Sequence, residues 1–124
     1  MNDPKRILII DDDVTAAESL KKLLNLSGFV AETVNKAKEA LNKVKLFKPD
    51  LIILDLLMPE IGGLELCEIF NHDPQTAHIP IIVISALSGY TDIKKAYKLG
   101  VLGYITKPYD FDQVLNEVKK ILEG

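Results

Sequence analysis

The apolar run Arg6-Ile7-Leu8-Ile9-Ile10 ends on Asp11-Asp12-Asp13, and Leu51-Ile52-Ile53-Leu54 ends on Asp55. Charges at the tips of otherwise buried strands are costly unless something binds them. Two further runs end on Ser85 and on Lys107-Pro108. Acids, a hydroxyl and an ammonium at four strand tips describe a polar site for a metal and a phosphoryl group. Three carboxylates meeting within about 4–5 Å repel by roughly 4 kcal/mol per pair at an effective dielectric near 20. A hard divalent cation relieves that repulsion, and Mg²⁺ prefers carboxylate oxygens and water. The lack of a His or Cys cluster argues against zinc. An aspartate beside Mg²⁺ can attack phosphorus. Lys107 and the metal would neutralise the transferring group, and the Ser85 hydroxyl would hydrogen-bond one of its oxygens. The plainer alternative is that the acids cap a helix starting near Val14. It accounts for any single acid but not for Asp55, which precedes a loop.

The elements that must gather these residues follow from the apolar pattern. Strand-like runs occur at Ile7–Ile10, Val30–Val34, Leu51–Leu54, Ile81–Ile84 and Val101–Ile105. Helical spacing separates them. Ala16 through Leu26 predicts a first helix, with Gly28 where a left-handed C-terminal residue is wanted. Ala37, Ala40, Leu41, Val44 and Phe47 share a helix face, with Asn35 as the expected cap and Pro49 as the stop. Asp92–Leu99 is the weakest helix, and Asp110 is the expected cap of a last one over 111–122. Strict alternation implies a doubly wound α/β sandwich of the flavodoxin-like (βα)5 type. The first, third and fourth runs are continuously apolar and belong in the sheet centre, while Val30–Val34 carries Glu32 and fits an edge. The expected parallel order is 2-1-3-4-5, which brings Asp11, Asp12, Asp55, Ser85 and Lys107 to the carboxyl ends, where such sheets bind ligands.

At 124 residues, 48% hydrophobic and 27% charged, the chain fits one domain, 1–124, able to bury a core without staples. The net charge is −3 and the lysines are scattered, so no nucleic-acid footprint is expected. Cys67 is the only cysteine, which excludes an internal disulfide; its apolar helical position predicts a buried, inert thiol. No signal-peptide pattern and no run of membrane-spanning length are present. A cytoplasmic protein with no membrane association is expected. His72 and His78 read as exposed residues of a long connection, and Gly62-Gly63 as a left-handed turn.

Four motifs in order over the whole chain resemble the receiver domain of bacterial two-component response regulators. Leu8-Ile9-Ile10-Asp11-Asp12-Asp13 is similar to that family's first strand and acidic pair. Asp55-Leu56-Leu57-Met58-Pro59, with Gly63 four residues after the proline, is similar to its phosphoacceptor loop. Ile84-Ser85-Ala86 resembles its switch hydroxyl, and Gly103-Tyr104-Ile105-Thr106-Lys107-Pro108 its last strand and lysine. The resemblance implies that Asp55 accepts a phosphoryl group from a phosphohistidine of a sensor histidine kinase or phosphotransfer protein. It implies Mg²⁺ as cofactor, bound by Asp12, Asp55 and the Leu57 carbonyl, with Asp11 acting through water. It implies that Lys107 contacts the phosphoryl group before a cis Lys107-Pro108 bond, while Asp13 only starts a helix. Ser85 would be drawn inward and Tyr104 would follow. The surface of the fourth helix, fifth strand and fifth helix would then act on an output domain or partner, as a monomer or an activation-dependent dimer. Leu57 and Leu87, two residues beyond Asp55 and Ser85, replace the commoner polar residues and predict slow autodephosphorylation.

Two other readings compete. Asp11-x-Asp13-x-Thr15 fits the nucleophile motif of haloacid-dehalogenase-like phosphatases, with Asp11 as nucleophile and Asp55 expendable. That reading lacks room for a larger core and cap, lacks a late acidic pair, and leaves the Asp55 loop unexplained. A non-phosphorylated interaction module of the same fold is disfavoured by the intact set of Asp11, Asp12, Asp55, Ser85 and Lys107.

Overall fold

The structure, a computed structural model, describes residues 3–124. Five parallel strands, β1 (Arg6–Ile10), β2 (Val30–Val34), β3 (Leu51–Asp55), β4 (Ile81–Ser85) and β5 (Gly103–Thr106), form one sheet in the order 2-1-3-4-5. The helices are α1 (Val14–Leu26), α2 (Ala40–Phe47), α3 (Gly63–His72), α4 (Tyr90–Lys98) and α5 (Phe111–Glu123), with a 3-10 turn at Ala37–Glu39 before α2. The expected fold class and strand order are those observed.

Successive strand residues face opposite sides of the sheet, and both sides are covered. Ile7, Ile9, Ile53, Ile82 and Ile84 pack with Leu20 and Leu24 of α1 and Val114 and Val118 of α5. Leu8, Ile10, Ile52, Leu54 and Val83 pack with Val44 and Phe47 of α2, Leu66 and Phe70 of α3, and Ala96 of α4. Burial on both faces explains the unbroken apolar runs of the central strands. Cys67 lies fully buried in the second cluster, and burial pushes its thiol up to about 12, as expected for an inert residue.

Local signals set most boundaries. Asp13 caps α1 by accepting the Ala16 N–H at 3.1 Å, and Gly28, at φ +99°, leads out of it. Asp110 starts α5, its N–H donating to the Gln113 side chain at 2.9 Å. The outer edge of β2 is partly closed from within the chain, because the Asn25 side chain accepts the Ala31 N–H at 2.8 Å.

Three expectations need correction. Val101 is buried but precedes β5; its N–H closes the end of α4 on the Ala96 carbonyl, so its apolar character reflects an anchored loop. Gly62 and Gly63 form no left-handed turn: Gly62 is extended at φ −70°, and the positive φ of that loop belongs to Glu60. Asn35 caps no helix, and its side chain serves β1 instead. His72 and His78 are exposed, as expected, although His72 is the last residue of α3 and its Nδ1 lies 2.7 Å from the Glu68 carbonyl. Among the described residues, no helix is long and apolar enough to cross a membrane.

Candidate functional site

Four strands deliver their carboxyl ends to one rim. Asp11 continues β1 by one residue, its N–H donating to the Val34 carbonyl at 3.0 Å. Its Oδ1 accepts the Asp13 N–H at 2.9 Å, and the Asn35 carboxamide donates to its main-chain carbonyl at 2.8 Å. Asp11 is thereby fixed and buried, whereas Asp12 is exposed and Asp13 turns away into the α1 cap. Asp55 ends β3 and is only 6% exposed. Its Oδ1 accepts the Leu57 N–H at 3.0 Å, and its Oδ2 accepts the Lys107 ammonium at 3.2 Å. The same ammonium lies 3.6 Å from Asp11 Oδ2.

One oxygen from each of Asp11, Asp12 and Asp55 lies within 4.8 Å of the others. At that spacing the carboxylates repel one another, and Lys107 offsets part of that repulsion. Burial raises the Asp11 carboxyl to about 6; the Asp13 N–H and Lys107 act against that rise, and Asp55 adds to it. Burial pulls the Lys107 ammonium down, but Asp11 and Asp55 outweigh it and the net shift is upward. The lysine is therefore held as a cation pointing at the carboxylates.

Ser85 ends β4 and is fully buried; its Oγ accepts the Leu87 N–H at 3.1 Å. Its carbonyl accepts the Lys107 N–H at 2.9 Å, which ties the tips of β4 and β5 together. The half-buried Tyr104 donates its hydroxyl to the Leu87 carbonyl at 2.6 Å. Both main-chain groups of Leu87 are thus taken, one by the Ser85 hydroxyl and one by Tyr104. The Lys107-Pro108 peptide is cis, as the motif implied.

The loop that carries Asp55 also rests on a close approach. A Cβ on Gly63 would lie 2.5 Å from Leu56 Cα and 2.7 Å from the Asp55 carbonyl oxygen, and the Gly63 N–H donates to the Leu56 carbonyl at 3.0 Å. Glycine is required there because α3 starts against the main chain of the Asp55 loop. The candidate site residues Asp11, Asp12, Asp55, Leu57, Ser85 and Lys107 thus fall on this rim, with Tyr104 on the β5 side of it. The contributor that sequence reasoning missed is Asn35, whose partner is 24 positions away and leaves no local signal.

The comparisons with known proteins agree with this geometry. The family model for the response regulator receiver domain matches residues 7–119. The chain is 36% identical over 118 residues to the DNA-binding dual master transcriptional regulator RpaA of Synechocystis, covering 94% of this chain and 48% of that protein. It is 38% identical to the signal receiver domain of a signal transduction histidine kinase from Syntrophus aciditrophicus, at a TM-score of 0.87, covering 97% of this chain and 91% of that one. A CheY-like receiver domain protein from Methanospirillum hungatei superposes at a TM-score of 0.89 with 28% identity, covering 97% and 94%. The chain spans about half the length of the curated relatives it matches. Acids, hydroxyl and lysine at one rim of a 2-1-3-4-5 sheet, within a family match over nearly the whole chain, make the conclusion direct: this chain belongs to the response regulator receiver domain family.

Proposed function

We propose that the chain is a phosphoacceptor switch, with Asp55 as the residue that takes the phosphoryl group. The observation that carries this reading is the setting of the Asp55 carboxylate, buried at the β3 tip, bonded by Lys107 and the Leu57 N–H and flanked by two further acids. An Asp55 oxygen attacks the phosphorus of a phosphohistidine; the new P–O bond forms as the P–N bond breaks, and the electron pair leaves with the imidazole nitrogen, which takes a proton. Lys107 balances charge on the transferring oxygens. Toward Leu87 the buried Ser85 hydroxyl acts as acceptor, so that bond does not use the proton it would donate to the aspartyl phosphate.

The donor set fits Mg²⁺: three carboxylates, one of them exposed to water, with no nitrogen or sulfur among them. Asp12, Asp55 and the Leu57 carbonyl would hold the ion, with Asp11 acting through water. Bound there, Mg²⁺ would supply the positive charge that lets the carboxylates and the phosphoryl oxygens share one site.

The output runs through Leu87. A hydroxyl drawn toward Asp55 pulls the Leu87 N–H, and the Leu87 carbonyl carries the displacement to Tyr104 and to the α4-β5-α5 face. Tyr90, Tyr97 and Leu102 stand exposed on α4 and before β5, and support a partner or output domain at that face. The phosphoryl source is a sensor histidine kinase or phosphotransfer protein, and the setting is the cytoplasm. The dehalogenase-like reading loses support because Asp13, its second acid, is engaged as the α1 cap.

Intact mass after incubation with acetyl phosphate and Mg²⁺ tests the reading on wild type, Asp55→Asn and Asp11→Asn. One added phosphoryl group, absent without Mg²⁺ and absent in Asp55→Asn, is expected. An adduct that survives Asp55→Asn but is lost in Asp11→Asn would transfer the nucleophile to Asp11 and sink the receiver mechanism.

A further inference from the structure

We infer that Asn35 is a positioning residue for the acidic site, its carboxamide holding Asp11 in register with Asp55; this rests on the reading of the site as a Mg²⁺-dependent phosphoacceptor. The β1-β2 ladder pairs Ile10 with Val34 and adds one bond beyond, from the Asp11 N–H to the Val34 carbonyl at 3.0 Å. A continuing strand would supply the next N–H to the Asp11 carbonyl, but the chain leaves β2 at Asn35 and enters the turn at Ala37–Glu39. The Asn35 Nδ2 supplies that donor at 2.8 Å. Only the nitrogen of a carboxamide can donate to a carbonyl, so the partner fixes the orientation of the group. Asp11 is consequently held at its amide, its carbonyl and one carboxylate oxygen, in strand geometry that directs its other oxygen toward Lys107 at 3.6 Å. Without the Asn35 bond the carbonyl is free to turn, and the carboxylate turns with it. The Asp11–Asp55 spacing on which cation binding depends would then widen.

The experiment measures Mg²⁺ affinity by titration calorimetry on wild type, Asn35→Ala, Asn35→Ser and the control Asn25→Ala. The control removes another carboxamide bond, accepted by the Asn25 oxygen from the Ala31 N–H at 2.8 Å, on the outer edge of β2 and away from the acids. Loss of one neutral hydrogen bond should weaken Mg²⁺ binding about fivefold in Asn35→Ala. The control should lose unfolding stability while binding Mg²⁺ as wild type does. Phosphoryl uptake from acetyl phosphate should show the same split: a higher half-saturating Mg²⁺ concentration in Asn35→Ala, with the maximal rate close to wild type. Wild-type Mg²⁺ affinity in both folded Asn35 variants overturns the inference and leaves the phosphoacceptor reading standing. So does a loss of Mg²⁺ affinity in Asn25→Ala as large as that in Asn35→Ala. No Mg²⁺ binding by the wild type overturns both.

Discussion

Replacing Asp11 by asparagine should stabilise the protein in the absence of metal. The folded-state pKa of Asp11 is raised to about 6 from an ordinary 3.8, mainly because burial strips water from the carboxylate. Between those values the folded protein keeps a proton that the unfolded chain has released. Stability therefore falls as pH rises from about 4 to 6 and levels off above 6. Two pH units at about 1.4 kcal/mol each put the cost of ionised Asp11 at roughly 3 kcal/mol at neutral pH. That figure already contains the attraction of Lys107; asparagine keeps an oxygen for the Asp13 N–H and carries no charge, so the expected gain is up to about 3 kcal/mol. Urea unfolding of wild type and Asp11→Asn, with chelator, from pH 4 to 8 reads this directly. The variant should be more stable at pH 7.5, and the gap should shrink steadily as pH falls through 6. Saturating Mg²⁺ should narrow the gap at pH 7.5, because a cation that binds only the folded wild type adds its binding free energy to stability. A variant less stable than wild type at pH 7.5, or a gap that does not change with pH, would refute the argument that this carboxylate is held against its own solvation.

Leu57→Asn and Leu87→Glu should each shorten the aspartyl phosphate lifetime several-fold in a phosphate-release assay, since both start two residues beyond the reacting groups and a polar side chain there can orient water; lifetimes that barely change would count against this. Gly63→Ala should cost about 2 kcal/mol or more in urea unfolding, because its methyl meets the main chain of Leu56 and Asp55 rather than a flexible side-chain end, and acetyl phosphate uptake should slow with it. Tyr104→Phe should lose about 1 kcal/mol with the bond to the Leu87 carbonyl, while Asp55 is still phosphorylated at close to the wild-type rate. A variant that loses phosphorylation altogether would place Tyr104 in the chemistry rather than in the output.

The parts of the fold legible in the sequence were those set by burial on both faces. Ile7–Ile10, Leu51–Leu54 and Ile81–Ile84 read as central strands because no alternation interrupts them, and Asp11, Asp55 and Ser85 could be placed because each directly follows such a run. Residues whose type has another cause give no such signal. Val101 is buried as an anchor after α4, and hydrophobicity alone does not separate that from the start of β5. Gly62-Gly63 has the composition of a turn, but the glycine that matters is needed for space against Asp55 and not for a positive φ. Asn35 has a capping residue's chemistry, and its actual partner is reached only after β1 and β2 have paired. These contacts are products of the assembled sheet, so no window of neighbouring residues contains them.

The carboxamide of Asn25 on the Ala31 N–H has a bearing on how the protein behaves in a crowded solution. An edge strand is a template on which another molecule's strand can grow, and β2 is an edge. The bond is made by a residue in the last turn of α1 and therefore depends on that turn keeping its place beside β2. An incoming strand must first displace Asn25, whereas a chain in which α1 has come loose offers the edge bare. Resistance to sheet-to-sheet aggregation at β2 is in this way coupled to the docking of a single helix, and partial unfolding of α1 is the event that removes it.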